Sequence, residues 1–207
     1  TNDGQEVADG TPPCGDDPSI RGEITYGGSQ TGTIYVTASS TTGRTDWALS
    51  LDGADDGASA ESPTPALRLS TNHSFCAWIN RTNRASGTHE TLVMKYNDSS
   101  EITYVASVGA SAGNLRFSIG NSGNAYSTGS IAVASGWTHV AFTHDGSVGR
   151  WYVNGVLDSA TTLASLQRWG DGALYVGRSS DLDTYFDRFG GEMDEVSLWN
   201  RTLSQAE

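Results

Sequence analysis

Three carboxylates stand within four positions in the run GGEMDEVSLWN, residues 190–200. Glu192, Asp194 and Glu195 lead into a strand-like segment that ends at Trp199. Acids this close on a strand can act as general acid and nucleophile in glycoside cleavage, which needs two carboxyls about 5 Å apart across the scissile bond. Successive strand residues point to opposite faces. Glu192 and Asp194 therefore share one face, and Glu195 takes the other. Val196 and Ser197 follow, so no third acid extends the pattern. The spacing argues against an active site, and the expectation is that the chain is not an enzyme. Strict alternation puts Asp194 with Val196 and Leu198 on the apolar, inward face. A carboxylate there needs hydrogen-bond donors or a cation. Two compensations are open: backbone N–H groups of a neighbouring loop, or a Ca²⁺ ion shared with the loop 52–56 that begins at Asp52.

The elements that must hold these acids are strands. Short apolar or alternating runs occur at 47–51, 74–80, 91–96, 102–108, 114–119, 137–143, 150–157, 173–177 and 192–199. Turn signals separate them, among them Asp52-Gly53, Asp145-Gly146, Asn154-Gly155 and Asp171-Gly172. Strands at this spacing without helical periodicity predict an all-β fold of two antiparallel sheets. In the segment 136–160, Val140 and Phe142 share one face of a strand. His139, Ala141 and Thr143 take the other, so His139 is expected on a sheet surface. Asn154-Gly155 predicts a type I′ hairpin turn. Residues 1–19 read as a polar linker or arm. Residues 20–45 hold a β-hairpin that must pack on the main domain or complete a sheet in a neighbouring molecule. At the end of the chain, Ser204 and Glu207 have capping-box spacing, as for a helix that continues or a short terminal cap.

Charge narrows the partners. The net charge is −12, and Lys95 is the single lysine. Such a chain is repelled by nucleic acid and by anionic membranes. No apolar run of 18 residues is long enough to span a membrane as a helix. Asp outnumbers Glu 16 to 8. Loop-borne Asp suits Ca²⁺, and it equally suits turns and solubility. Cys14 and Cys76 show no zinc spacing. In an oxidising compartment they can pair and staple the N-terminal segment to the main domain.

The segments ALSLDGADD (48–56), FCAWIN (75–80), GWTHVAFTHDGSVGRWYVNGVLDSA (136–160), LYVGRSS (174–180) and GGEMDEVSLWNRTLSQAE (190–207) occur in this order. Together they resemble the LamG-like jelly-roll domains of the concanavalin A-like superfamily, related to pentraxins, over about residues 46–207. The hairpin in 20–45 resembles the first strands of Ig-like or carboxypeptidase-regulatory-like modules. The main resemblance implies a jelly-roll sandwich that is secreted or displayed at a cell surface. It also implies a non-catalytic binding or adhesion role toward glycans or extracellular proteins. The matching pentraxin loop carries Ca²⁺ ligands, which points to Asp181 and Asp183 as metal candidates beside Asp194 and Asp52. Ser179 and Ser180 stand where other ligands would be, so a double calcium site is not expected. The catalytic strand of family 16 glycoside hydrolases reads Glu-x-Asp-x-Glu, which residues 192–196 do not match. Sugar recognition on such folds needs an exposed aromatic platform. Trp169, Tyr185 and Phe186 lie in turn-rich segments and are the expected ligand-binding residues. A second expectation is a structural subunit that oligomerises by lending its N-terminal hairpin to a neighbour's sheet.

Overall fold

The computed structural model describes residues 21–26, 30–36, 39–42, 47–60, 67, 69, 71–82, 89–96, 102–120, 124–163, 172–179 and 186–207, with side chains from residue 48 onward. Cys14, Trp169, Asp181, Asp183 and Tyr185 lie outside them. The described residues form strands and turns, with no α-helix. In chain order the strands are β1 Arg21–Tyr26, β2 Gln30–Val36, β3 Ser39–Thr42, β4 Trp47–Asp52, β5 Ala58–Ala60, β6 Asn72–Arg81, β7 His89–Tyr96 and β8 Ile102–Gly109. They continue as β9 Asn114–Ile119, β10 Asn124–Ser130, β11 Thr138–Asp145, β12 Val148–Val153, β13 Val156–Thr162, β14 Leu174–Val176, β15 Phe186–Asp187 and β16 Gly190–Trp199.

Two sheets face each other. One runs β1-β2-β5-β14-β7-β8-β9-β10, with β15 added beside β7; the other runs β13-β12-β11-β6-β16-β4-β3. The pairing is antiparallel apart from the short β15–β7 contact. This is the two-sheet sandwich that the alternating strands predict. The N-terminal hairpin belongs to it. β2 pairs with β5, and β3 pairs with β4, so residues 21–42 extend both sheets of their own chain.

Alternation builds the core. Phe75, Ala77 and Ile79 of β6 point inward with Val140 and Phe142 of β11 and Trp151 of β12. From the other sheet come Tyr104, Ala106 and Val108 of β8 and Leu115, Phe117 and Ile119 of β9. Phe117 and Phe142 stack across the gap with centroids 4.1 Å apart. Each fully buried side chain of this size contributes about 1.5–3 kcal/mol. At the Asn154-Gly155 turn both residues have positive φ, 50° and 77°. That is the type I′ geometry the sequence calls for. His139 lies on the outer face, its ring 5.2 Å from that of Trp78.

Strand β16 departs from strict alternation. Its register against β6 shifts between Asp194 and Ser197, and Glu195 has φ 49°. This bulge carries one extra residue and resets the phase. Met193 is opposite Ile79 and enters the core; Val196 and Leu198 pack on the core again after the bulge. Asp194 is opposite Trp78, an outward residue, so it faces the outer side of the sheet and not the core.

Candidate functional site

On the outer face of the larger sheet, residues from β7 to β10 line a cleft of about 390 Å³. Its walls are His89, Gly109, Ser111, Ala112, Asn114, Tyr126 and Ser127. Among the described residues that line it there is no carboxylate. Tyr126 is the aromatic side chain most open to solvent there, at 46% exposure. Beside the cleft, register sets a polar row. Thr91 of β7 is opposite Ser107 of β8, Ser107 is opposite Arg116 of β9, and Arg116 is opposite Tyr126 of β10. One polar row thus crosses four strands. The Thr91 and Ser107 hydroxyls are fully buried and have no hydrogen-bond partner among the described residues.

Phe186 packs beside this row. It is 5% exposed, packs against Met94, Tyr96 and Val105, and lies 5.1 Å from the Arg116 guanidinium carbon. Its ring is 5.7 Å from that of His89. Phe186 is therefore a cover on the sheet rather than the exposed platform its loop position suggests. Asn124 Oδ1 accepts hydrogen bonds from Arg116 Nε and Nη2 at 3.1 and 3.0 Å. Burial, followed by the nearby Arg116 charge, lowers the His89 pKa to about 4. His89 is thus a neutral donor and acceptor at neutral pH.

The rim is held from the opposite sheet. Arg81 at the end of β6 and Glu90 of β7 are 2% and 0% exposed and form a bidentate pair at 2.6 and 2.8 Å. Arg81 also donates to the carbonyls of Ala110 and Ile131, both at 2.9 Å. Ile131 N–H in turn donates to Gly113 O at 2.8 Å. Gly113 has φ 72°, and a Cβ there would come within 2.6 Å of Ile131 O. Only glycine fits so close a crossing. Both carboxylate oxygens of Glu90 are thus committed to Arg81.

Of the predicted metal ligands, Asp181 and Asp183 lie outside the described residues, and Asp52 and Asp194 are not brought together. Asp52 is opposite Gly190, and Asp194 lies four positions further along β16, roughly 13 Å along the strand. Asp194 is 9% exposed and accepts from the Glu195 N–H at 2.8 Å. The bulge thus supplies a backbone donor. Asp52 Oδ1 accepts from Ala54 and Asp55 N–H at 2.7 and 3.3 Å. These bonds, the Ala54 one foremost, hold its carboxyl below the ordinary range. Burial raises that of Asp56. Oxygens of Asp52, Asp55 and Asp56 lie within 4.8 Å of one another, and this turn is the place among the described residues where acids converge. It adjoins β5, which β14, β7 and β8 separate from the β9–β10 wall of the cleft. Glu192 accepts from Asn80 Nδ2 at 2.8 Å on the outer face. Glu195 points to solvent. Cys76 has no disulfide partner among the described residues, and burial pushes its pKa up to about 11; the expected partner Cys14 lies outside them.

Tyr126 was not among the residues expected to bind. Its strand, NAYSTGS, has no apolar run, and only the inward Ala125 marks its phase. The signal available was alternation around a single tyrosine between glycine-rich turns.

Several solved structures share the fold. Domain 4 of AbnA, a GH43 extracellular arabinanase from Geobacillus stearothermophilus in complex with arabinotriose, matches 84% of this chain and 84% of that one, with a TM-score of 0.65 and 21% identity. The heptameric SAP-like pentraxin from Limulus polyphemus matches over 65% of this chain and 66% of its own, at TM-score 0.54 and 17% identity. The binding domain of botulinum neurotoxin DC in complex with SialylT covers 89% of this chain and 46% of its own, at TM-score 0.63 and 11% identity. No curated protein matches the sequence. The family model for the concanavalin A-like lectin/glucanases superfamily matches residues 52–207, and the chain belongs to that superfamily.

Proposed function

We propose that the chain is a non-catalytic, extracellular carbohydrate-binding module that holds an uncharged part of a glycan in the β7–β10 cleft. The observation that carries this reading is a half-exposed tyrosine at a cleft whose described lining residues are all uncharged at neutral pH and include no carboxylate. The face of a tyrosine offers a sugar's C–H surface a rigid apolar partner. His89, Asn114, Ser111 and Ser127 surround it with neutral hydrogen-bonding groups. Glycoside cleavage needs two positioned carboxyls, and the described lining residues include none. Two of the structural neighbours are in complex with arabinotriose and with SialylT, which supports a glycan over a protein ligand.

The proposed binding at this cleft is calcium-independent, since Ca²⁺ requires several oxygen ligands, usually with carboxylates, and the described lining residues include none. A glycan array run with and without EDTA, on the native chain and on Tyr126→Ala, tests the proposal. Glycan binding that survives EDTA and weakens about tenfold in Tyr126→Ala is expected. No binding under either condition overturns it, and so does binding that EDTA abolishes.

A further inference from the structure

Asp158 lies on β13, in the smaller sheet, and does not line the cleft. Its carboxylate nevertheless holds the strand that carries Tyr126. β10 pairs regularly with β9 at 124–126 and again at Ser130, with a register shift between. Across that shift the backbone amides turn away from the ladder. Thr128 N–H donates to Asp158 Oδ2 at 2.6 Å, and Gly129 N–H donates to Asp158 Oδ1 at 3.0 Å. Thr128 Oγ1 donates to Asp158 O at 3.2 Å, and the neighbouring Ser159 Oγ donates to Tyr126 O at 2.8 Å. The approach is close: a Cβ at Gly129 would meet Asp158 Oδ1 at 3.0 Å.

From the β9 side, Leu115 N–H donates to Ser127 Oγ at 2.8 Å. Asn114 Nδ2 donates to the carbonyls of Ser127 and Gly129 at 3.3 and 3.1 Å. The Tyr126–Ser127 wall is therefore clamped from two directions. One clamp lines the cleft, and the other comes across the sandwich edge. Bonds from N–H to an ionised carboxylate are stronger than bonds between neutral groups. Two on consecutive amides fix both the position and the orientation of the bulge.

We propose that Asp158 is a positioning residue for glycan binding: its carboxylate, reaching from β13, sets the β10 bulge so that Tyr126 stands over the cleft. This rests on the cleft being the glycan site. Without the carboxylate, Thr128 and Gly129 lose their acceptor, the bulge relaxes and the tyrosine wall shifts, although no group that touches sugar has been removed. Asp158→Asn keeps one acceptor oxygen and has an intermediate effect.

The test compares the native chain, Asp158→Ala, Asp158→Asn, Ser159→Ala and Tyr126→Ala. Amide exchange at residues 126–130 and the tyrosine ring NMR signals are followed without sugar. Arabinotriose is then titrated. The expected result is faster exchange confined to 126–130 and a moved Tyr126 ring signal in Asp158→Ala. Arabinotriose affinity drops about tenfold, with Asp158→Asn in between. Unchanged exchange and ring signals in Asp158→Ala overturn the inference. So does a changed bulge with undiminished affinity in that variant. If Asp158→Ala unfolds, Asp158→Asn and Ser159→Ala decide in the same way. Equal affinities for the native chain and Tyr126→Ala, absence of binding included, sink the cleft reading itself. The exchange data tell that failure apart from failure of the positioning role.

Discussion

A buried ion pair is costly to break one-sidedly, because the remaining charge has no water to receive it. Arg81 and Glu90 are such a pair, and Arg81 also ties down two carbonyls at the cleft rim. Glu90→Ala is expected to lower stability by about 3 kcal/mol or more. Urea denaturation measures this, and an unchanged midpoint would refute it. His89 gives the residue scale its pH dependence. Its pKa is lowered from 6.5 to about 4, by burial first and Arg116 second. Between those values the unfolded chain binds a proton that the folded chain refuses. The contribution to stability is therefore complete above the ordinary histidine pKa and is lost as pH falls toward 4. His89→Gln is expected to flatten the decline of melting temperature over that window. His139, also lowered by burial, leaves a residual slope. An identical slope in the variant would place the titration elsewhere.

Bulges do the work at the scale of elements. In β16, one extra residue sends Asp194 outward and returns Val196 and Leu198 to the core. In β7, a register shift between Thr91 and Val93 lets Leu92 and Val93 both join the core. In β10, the shift between Tyr126 and Ser130 opens the cleft wall. Glu195 occupies the left-handed region at φ 49°, which costs a non-glycine residue roughly 1 kcal/mol. Glu195→Gly is therefore expected to hold or raise stability, by up to about that amount, since glycine's greater unfolded-state freedom offsets part of the gain. A clear loss in thermal unfolding would show that the Glu195 side chain contributes more than its backbone strain costs.

For the molecule as a whole, the two sheets depend on each other at both edges. Trp151 of the smaller sheet donates through Nε1 to Ala125 O of β10 at 3.1 Å, and Asp158 closes the same edge. At the other edge, β1, β2 and β3 cover β5 and β4. Removing residues 1–42 would uncover both inner strands, and bare strand edges pair with other chains. A chain beginning at residue 43 is expected to associate or precipitate, as size-exclusion chromatography would show. A stable, monomeric product would mean that those strands are dispensable. The hairpin's pairing with its own β5 also removes the reason to expect it in a neighbour's sheet.

Local chemistry determined much of this protein. Alternation at Val140 and Phe142, and Asn-Gly at 154–155, follow from side-chain period and turn preference, which are properties of short segments. The all-β sandwich, the family and the missing catalytic acid triplet were legible for the same reason. Three things were not. The inward placement of Asp194 was the wrong face, because a bulge is a disagreement between two strands and only one is visible at a time. Phe186 reads as exposed in its loop, yet pairing beside β7 buries it. Beside the cleft, β7, β8, β9 and β10 align Thr91, Ser107, Arg116 and Tyr126 in one row. Those residues span 36 positions of sequence, and cross-strand register alone makes them neighbours. Asp158, on a strand of the other sheet, joins them only when the sandwich edge closes.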